Sequence, residues 1–354
     1  MIKIKKIRSS TSKAPAVILY QHVIPPYRYE LFSYFEPEIT IASSEIKDGK
    51  HIGYLLTLKI VKTHLQVTIS KELILAKAVI IPNNPYDIGL WLIAIVRRFN
   101  GNTTFYRGHA GSLKKYDLAQ YILRKIIDSL QIFLSAGILG YVKVSSNNLQ
   151  SANYVKWKSK FYGSNNIHLM WRGLAKPSKN SMKTAFFIGT NKKKQKTSQL
   201  LEFVRKTNRI ETIHLIGDFE DLKLHFTDSK FVFHGPIYNE QEKDEIIMQC
   251  GYGLSLGSLG LFVIDCLSRN RPILGLTNHA DPIGHAPEAD FVKYFPGSVL
   301  CIDESELEVQ LRKLVHVEID YQKIYEANFS YSSIKKTYID AINERKSIKY
   351  ETES

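Results

Sequence analysis

Cysteine is scarce in this sequence: Cys250, Cys266 and Cys301 are all that 354 residues contain. Three thiols so scattered build neither a disulfide framework nor a zinc site, and they suit a reducing compartment. Long hydrophobic runs are missing as well. The uncharged stretch Ser129–Val142 includes Gln131, Gly137 and Gly140 and ends short of the ~20 apolar residues a spanning helix needs. The opening MIKIKKIRSSTSK is basic but carries no apolar core or cleavage site, which sets it apart from a secretory signal. Neither half contains an Asp-x-Asp pair or a tight His/Asp cluster, so no metal requirement is expected. Zinc-finger spacing, an RRM signature and a basic-zipper heptad are absent too, which removes motif support for nucleic acid as a partner.

Acid is short relative to base, with 34 Asp and Glu against 48 Lys and Arg, for a net charge of +14. That excess points to an anionic partner: nucleic acid, an anionic membrane face or a phosphorylated ligand. Otherwise the composition is globular, 44% hydrophobic and 23% charged, and 20 Tyr with 17 Phe are enough to fill two cores. The length exceeds the size at which one core usually stops growing, so two domains are expected.

Along the chain, short buried strands alternate with helical runs. Ala16–Tyr20, Pro37–Ala42, Ala78–Ile81 and Thr103–Tyr106 read as strands, with two more within His51–Ile69. Residues 1–13 read as a basic lead-in, and Gln21–Arg28 as a loop. Asp87–Arg97 and Asp117–Ser129 read as helices, followed by strands at Ile132–Ser135 and Tyr141–Ser145. Patterning weakens from Ser151 to Lys183, and then the alternation restarts. Ala185–Gly189, Thr212–Ile216, Phe231–Phe233 and Gly253–Ser255 are strands, with helices at Ser198–Arg205 and Glu240–Gln249. Two such series argue for parallel α/β sheets.

The stretch Leu254–Leu274, LSLGSLGLFVIDCLSRNRPIL, organises the second series. Small residues open it, and Leu261, Ile264 and Leu267 follow at helical spacing. Asn270 suits the helix C′ position and Pro272 stops the helix. A Gly/Ser loop before a helix is either an ordinary turn or a phosphate site, because its backbone N–H groups are available to an anion.

Taken in order, the motifs of the second half resemble those of GT-B nucleotide-sugar-dependent glycosyltransferases, above all the large retaining family rich in bacterial capsule, O-antigen and lipopolysaccharide enzymes. Phe187-Ile188-Gly189 precedes the lysine cluster Lys192, Lys193, Lys194 and Lys196; then come Ile216-Gly217-Asp218, Phe233-His234-Gly235, and Gly257-Ser258-Leu259-Gly260-Leu261 through Asp265 to Pro272-Ile273-Leu274. Ala286-Pro287-Glu288-Ala289-Asp290 is similar to a Pro-Glu loop in one branch of that family. In the first half, Pro26-Tyr27-Arg28-Tyr29-Glu30-Leu31-Phe32, Arg107-Gly108-His109-Ala110-Gly111 and Asn147-Asn148-Leu149 resemble family segments more weakly. The chain departs from the pattern where Gly257 and Asp265 replace two glutamates and Thr190 replaces an arginine.

The resemblance implies two Rossmann-like domains facing across a cleft, with C-terminal helices crossing back: an acceptor-side domain over 1–172, a nucleotide-sugar-binding domain over 173–325, and a helical segment over 326–354 packing on the first domain. It implies transfer of a sugar from a nucleotide-sugar donor to a saccharide or lipid-linked acceptor, with retention, in cell-surface polysaccharide synthesis. The donor-binding candidates are Gly189, Lys194, Lys196, Gly235, Ser258, Leu259, Gly260, Leu261 and Asp265. Lys194 and Lys196 straddle the place of the phosphate-neutralising lysine, and Asp265 is either a ribose acceptor or a solvated helix carboxylate. Glu288 is a sugar contact or a surface carboxylate, and His109 is a catalytic-site histidine or a structural one; His279 and His285 have no assigned role. No cofactor, metal or nucleic acid is implied. A cytoplasmic protein, adhering peripherally to the anionic inner membrane face, accounts for the charge. The competing reading, favoured by Gly257 and Thr190, is a degenerate GT-B protein that binds a nucleotide or a partner without turnover.

Overall fold

The computed structural model describes residues 3–7, 16–22, 24–25, 28–43, 52–53, 56–61, 64–84, 87–108, 118–140, 161–163, 169–190, 194–256, 262–276, 292, 295–314 and 319–352. They divide into two units, Met1–Asn165 with Tyr331–Ser354, and Asn166–Ser330. The boundary expected after residue 172 therefore falls inside the second unit. The reason is local anchoring: Tyr325 Oη donates to the Leu169 carbonyl at 2.8 Å, Trp171 packs on Tyr325, and the Arg172 N–H donates to the Ser268 carbonyl at 2.8 Å. The segment expected from 326 also divides, with 326–330 in the second unit.

The first unit runs β1 (Lys3–Ile7), β2 (Val17–Gln21), α1 (Tyr29–Phe35), β3 (Thr40–Ser43), β4 (Ile52–Gly53), β5 (Leu56–Val61), β6 (His64–Ser70), α2 (Lys71–Leu75), β7 (Ala78–Pro82), α3 (Ile88–Phe99), β8 (Thr103–Gly108), α4 (Leu118–Leu134), β9 (Gly137–Gly140) and β10 (Phe161–Gly163). Seven strands form one parallel sheet in the order β10-β9-β8-β7-β2-β3-β4. Chain order reverses between β2 and β7, the switch point of a doubly wound sheet. A separate small sheet, β1-β6-β5, pairs β5 antiparallel to β6 and β1 parallel to it. The basic lead-in thus contains a strand, for which the alternation Ile2-Lys3-Ile4-Lys5 was the available sign.

Ile18, Tyr20, Val79, Ile81, Leu90 and Ile93 belong to one buried cluster of this unit. Asp87 caps α3, its Oδ1 accepting from the Leu90 N–H at 3.2 Å. Arg97, fully buried near the end of α3, donates to the carbonyls of Leu73, Ile74, Ala76 and Thr103 and to Thr104 Oγ1. Its guanidinium ties α2 and the start of β8 to α3, and burial lowers its pKa to about 10, which leaves it charged at neutral pH.

The second unit runs β11 (Thr184–Thr190), α5 (Lys194–Lys206), β12 (Thr212–Asp218), α6 (Glu220–Lys223), β13 (Phe231–Gly235), α7 (Glu240–Met248), β14 (Tyr252–Leu256), α8 (Phe262–Leu267), β15 (Ile273–Leu276), β16 (Val299–Cys301), α9 (Glu304–Leu314) and α10 (Gln322–Phe329). Its six strands are all parallel, in the order β13-β12-β11-β14-β15-β16, and the order reverses between β11 and β14. Phe186, Leu201, Leu215, Leu254, Ile264 and Ile273 are buried here. Gly253 permits α8 to lie close on β14: a Cβ there would meet Cys266 Sγ at 2.3 Å.

The final helix, α11 (Tyr331–Thr352), belongs to the first unit and packs on β10 and α1. Tyr338 meets the Phe35 ring at 5.4 Å, and Lys335 Nζ lies 2.6 Å from Glu38 Oε2, which holds the Glu38 carboxyl below its usual pKa. No helix among the described residues is long and apolar enough to cross a membrane.

Candidate functional sites at the sheet switch points

Ligands of doubly wound sheets bind beyond the carboxyl ends of the strands, where the strand order reverses. In the second unit that place is set by β11 and β14, paired through Ala185–Tyr252 and Phe186–Gly253. The chain leaving β11 enters α5, and the chain leaving β14 enters α8. Those are the two connections that carry the lysine cluster and the Gly/Ser loop.

Lys194 and Lys196 stand in the first turn of α5 and not in the loop before the helix expected at Ser198. Ser258, Leu259, Gly260 and Leu261 lie outside the described residues, as do Lys192, Lys193, His109, His279, His285 and Glu288. Helix α8 has only six residues. An anion there would depend on loop N–H groups more than on a long macrodipole.

Gly189 and Gly217 pair across the ends of β11 and β12. Gly217 has φ +139°, and a Cβ on it would lie 1.9 Å from the Gly189 carbonyl oxygen, so the backbones approach closely here. Gly235 ends β13 with φ +72°, a left-handed value that suits glycine.

Asp265 is 6% exposed, so it is not a solvated helix carboxylate. Its Oδ1 accepts from Arg269 Nη1 at 3.1 Å, one turn later on the chain. Arg269, wholly buried, also donates to Glu240 Oε2 at 2.5 Å and Asp244 Oδ1 at 2.7 Å, and Arg172 reaches Asp244 Oδ2 at 2.6 Å. Burial works against the Arg269 charge, but Asp265, Glu240 and Asp244 outweigh it and raise its pKa. The network fastens α7 to the turn after α8.

His214 on β12 and His234 on β13 form a second feature that sequence reading missed. Nδ1 of His214 and Nε2 of His234 are 2.9 Å apart, with the ring planes 14° from parallel and centroids 5.1 Å apart. Nitrogens that close within that centroid separation lie between the rings, so this is an in-plane N–H···N bond and not a face-to-face stack. One imidazole must be the neutral acceptor. Burial lowers the His214 pKa to about 4, and the neighbouring His234 adds to the shift. Only adjacency of the two strands brings these residues together.

The first unit also carries a cavity at its switch point, where sequence reading saw a loop over Gln21–Arg28, a strand over Ala78–Ile81, a helix from Asp87 and a family-like segment from Arg107 without joining them. A cavity of about 270 Å³ is lined by Tyr20, Gln21 and His22 at the end of β2, by Ile80, Pro82 and Asn84 at the end of β7, by Asp87 and Leu90 at the start of α3, and by Arg107 on β8. Tyr20 Oη lies 2.7 Å from His22 Nδ1, and His22 Nε2 lies 2.6 Å from Asp87 Oδ2. Asp87 thus uses one oxygen to cap α3 and the other to hold the imidazole. Arg107 Nη2 is 3.3 Å from Gln21 Oε1, and its guanidinium lies over the Phe32 ring at 5.0 Å. Among the described residues, no group of three or more His, Cys, Asp or Glu side chains is arranged to hold a metal.

No protein-family model matches this sequence. Nor does any curated protein sequence. Solved structures do match. A lipopolysaccharide outer core galactosyltransferase, WaaB, in its apo form, aligns over 93% of this chain and 99% of its own, with TM-score 0.59 and 12% identity. HepE of Anabaena, solved with UDP, aligns over 93% and 99%, with TM-score 0.62 and 9% identity. A putative UDP-N-acetylglucosamine 2-epimerase from Listeria monocytogenes aligns over 94% and 97%, with TM-score 0.56 and 9% identity. The chain has the α/β GT-B fold of glycosyltransferases. Because an epimerase shares that fold, chemistry has to be argued from the site.

Proposed function

We propose that this protein is a glycosyltransferase that moves a sugar from a nucleotide-sugar donor to a saccharide or lipid-linked acceptor, with retention, in cell-surface polysaccharide synthesis. The observation that carries the reading is the coincidence of motif and topology. The lysine cluster and the Gly257–Leu261 loop follow β11 and β14, the neighbouring strands at which the order of the second sheet reverses. The proposed donor diphosphate lies against the N–H groups of Ser258–Leu261 and a lysine of the 192–196 run, with Lys194 and Lys196 the leading choices. Leaving-group charge grows as the glycosidic bond breaks, so these contacts strengthen towards the transition state.

Gly235 leaves open space at the end of its strand, with nothing within 4 Å of where a Cβ would stand, whereas that place on Gly189 is filled by the Phe187 ring at 2.9 Å, so Gly189 is proposed to meet the donor through its backbone. Asp265, Glu288 and His109 are proposed to contact ribose, donor sugar and reacting sugar respectively, and no metal is required. UDP is the first nucleotide to test, because HepE was solved with it. The proposed setting is the cytoplasm, with peripheral attachment to the anionic inner membrane face. A catalytically inactive nucleotide-binding protein is the second reading. It is favoured by Gly257 and Thr190 at the family's glutamate and arginine positions, and by the engagement of Asp265 with Arg269.

A thermal-shift screen of nucleoside diphosphates and nucleotide sugars tests both. A ligand at 100 times its Kd is expected to add about 2.7 kcal/mol of stability. Replacing the correct lysine with Ala should lower turnover by about 100- to 1,000-fold. A stabilising nucleotide without sugar transfer or donor hydrolysis leaves the inactive reading. No shift with any nucleotide removes both.

A further inference from the structure

A helix that covers a sheet ordinarily turns its apolar stripe inward. Helix α4 does the reverse. Ile122, Leu123, Ile126, Leu130 and Phe133 are each between 49% and 63% exposed. Gln131 on the same helix is buried, and its Oε1 has no hydrogen-bond partner. Burying an unpaired amide oxygen costs stability, so this orientation is not one that the core of the unit asks for. Five of the fifteen exposed large apolar side chains among the described residues thus stand on one helix, and a contiguous apolar face of that kind marks an interaction surface.

The neighbouring elements add charge. Helix α3 packs beside α4, and the Arg98 guanidinium lies 5.4 Å from the centre of the Phe133 ring. Phe99, the next residue, is 86% exposed. On α3 also lies β5 of the small sheet, whose partner β6 pairs in turn with β1. These five elements carry three lysines on β1, one on β5, Arg98, and Arg124 with Lys125, apart from the buried Arg97; their one acid is Asp128.

Apolar surface beside an excess of cations selects among partners. A second copy of the chain would bring two basic regions together, and like charges oppose that approach. A folded protein partner is held best by anchors seated in pockets, whereas the α4 side chains form an even ridge. An anionic lipid surface suits both features: a ridge of half-exposed Ile, Leu and Phe side chains enters the boundary between headgroups and acyl chains, and lysine and arginine meet the headgroup charge.

We propose that the α4 ridge, with the Arg98–Phe99 corner of α3, is the face by which this protein lies on an anionic membrane. The inference rests on the peripheral attachment put forward above and names the surface that makes it.

Flotation of the full-length protein at low salt, with vesicles of phosphatidylcholine alone or with added phosphatidylserine, tests it. The parent is compared with the double variant Ile126→Glu/Leu130→Glu and with Leu224→Glu, which alters an exposed apolar residue of the second unit. Thermal melting checks that both are folded. A second measurement needs no loss of binding: a polarity-sensitive fluorophore is attached through Leu123→Cys or Leu224→Cys, which is selective because the three native thiols are buried. The expected result is that the parent and Leu224→Glu float with phosphatidylserine vesicles, that the double variant binds them at least tenfold more weakly, and that emission shifts to the blue at position 123 and not at 224. If the parent floats but the double variant floats equally well, or the label at 123 does not respond, the ridge is overturned and attachment through charge elsewhere stands. If the parent stays in the soluble fraction, attachment itself fails. A dimer in sedimentation equilibrium that the double variant dissolves, without flotation, overturns the lipid assignment in favour of a second copy.

Discussion

Arg269 is where one side chain matters most to the second unit. From a wholly buried position it pairs with Asp265, Glu240 and Asp244, while Lys243 also pairs with Glu240 and Arg172 with Asp244. Arg269→Met would take the shared cation from Asp265, Glu240 and Asp244, leaving Lys243 on Glu240 and Arg172 on Asp244, and breaking such a buried set costs about 3–5 kcal/mol. Urea unfolding is expected to show that loss, with Asp265→Asn showing a smaller one. The consequence for Asp265 is practical: a rise in the donor Michaelis constant of Asp265→Ala counts as ribose contact only after its stability has been measured. His214 gives a pH dependence. Its folded pKa, about 4, lies below the value of 6.5 it has when unperturbed. The unfolded chain therefore binds more protons between those values, so stability is full above pH 6.5 and falls as pH drops towards 4. Denaturant midpoints measured across that window should decline with acid, and His214→Asn should flatten the decline. A slope unchanged in the variant would assign the effect to other groups.

At the scale of elements, most runs fell where periodicity put them, and the exceptions have physical causes. Ile132–Ser135 looks like a strand because it holds Ile, Phe and Leu in succession, yet Ile132 to Leu134 form the last turn of α4. Leu134 joins the core cluster from that turn, and the strand follows at Gly137–Gly140. Local β preference yields here to packing. Asn270 behaved as its sequence context suggested. It adopts φ 58°, the positive value of a helix C′ residue, and the Arg271 N–H donates to the Cys266 carbonyl at 3.0 Å. Its side chain has a second task that sequence does not disclose: Oδ1 accepts from the Tyr321 N–H at 3.1 Å. Asn270→Ala should therefore lose about 1–2 kcal/mol for the left-handed backbone and roughly 1 kcal/mol more for the bond. Asn270→Gly should lose only the second part. Equal losses in the two variants would argue against the conformational share.

For the whole molecule, the charge of +14 asks for an anionic partner, and the proposed inner membrane face is the largest one available. Each Lys or Arg near an anionic surface contributes about 1 kcal/mol, screened by salt. Flotation with vesicles containing phosphatidylserine is expected to carry the protein upward at low salt and release it at high salt. Protein that stays in the soluble fraction at both would leave the charge to phosphorylated ligands alone. The same charge would still favour a nucleotide sugar, so the two experiments do not stand or fall together.

Sequence alone determined the two βα series, the order of motifs in the second half and the helix stop at Asn270. Each of these is written locally, in periodicity, in glycine placement and in one residue able to take a left-handed backbone. It also determined that the lysine run and the Gly/Ser loop each follow a strand. That those two strands are neighbours at a reversal of strand order was decided by the sheet, because pairing joins β11 to β14 across more than sixty residues of chain. The burial of Asp265, the His214–His234 bond and the Tyr20–His22–Asp87 array were likewise decided only in three dimensions. Each depends on side chains from separate elements meeting at hydrogen-bond distance, and no local pattern in a chain encodes the partner that another element will bring.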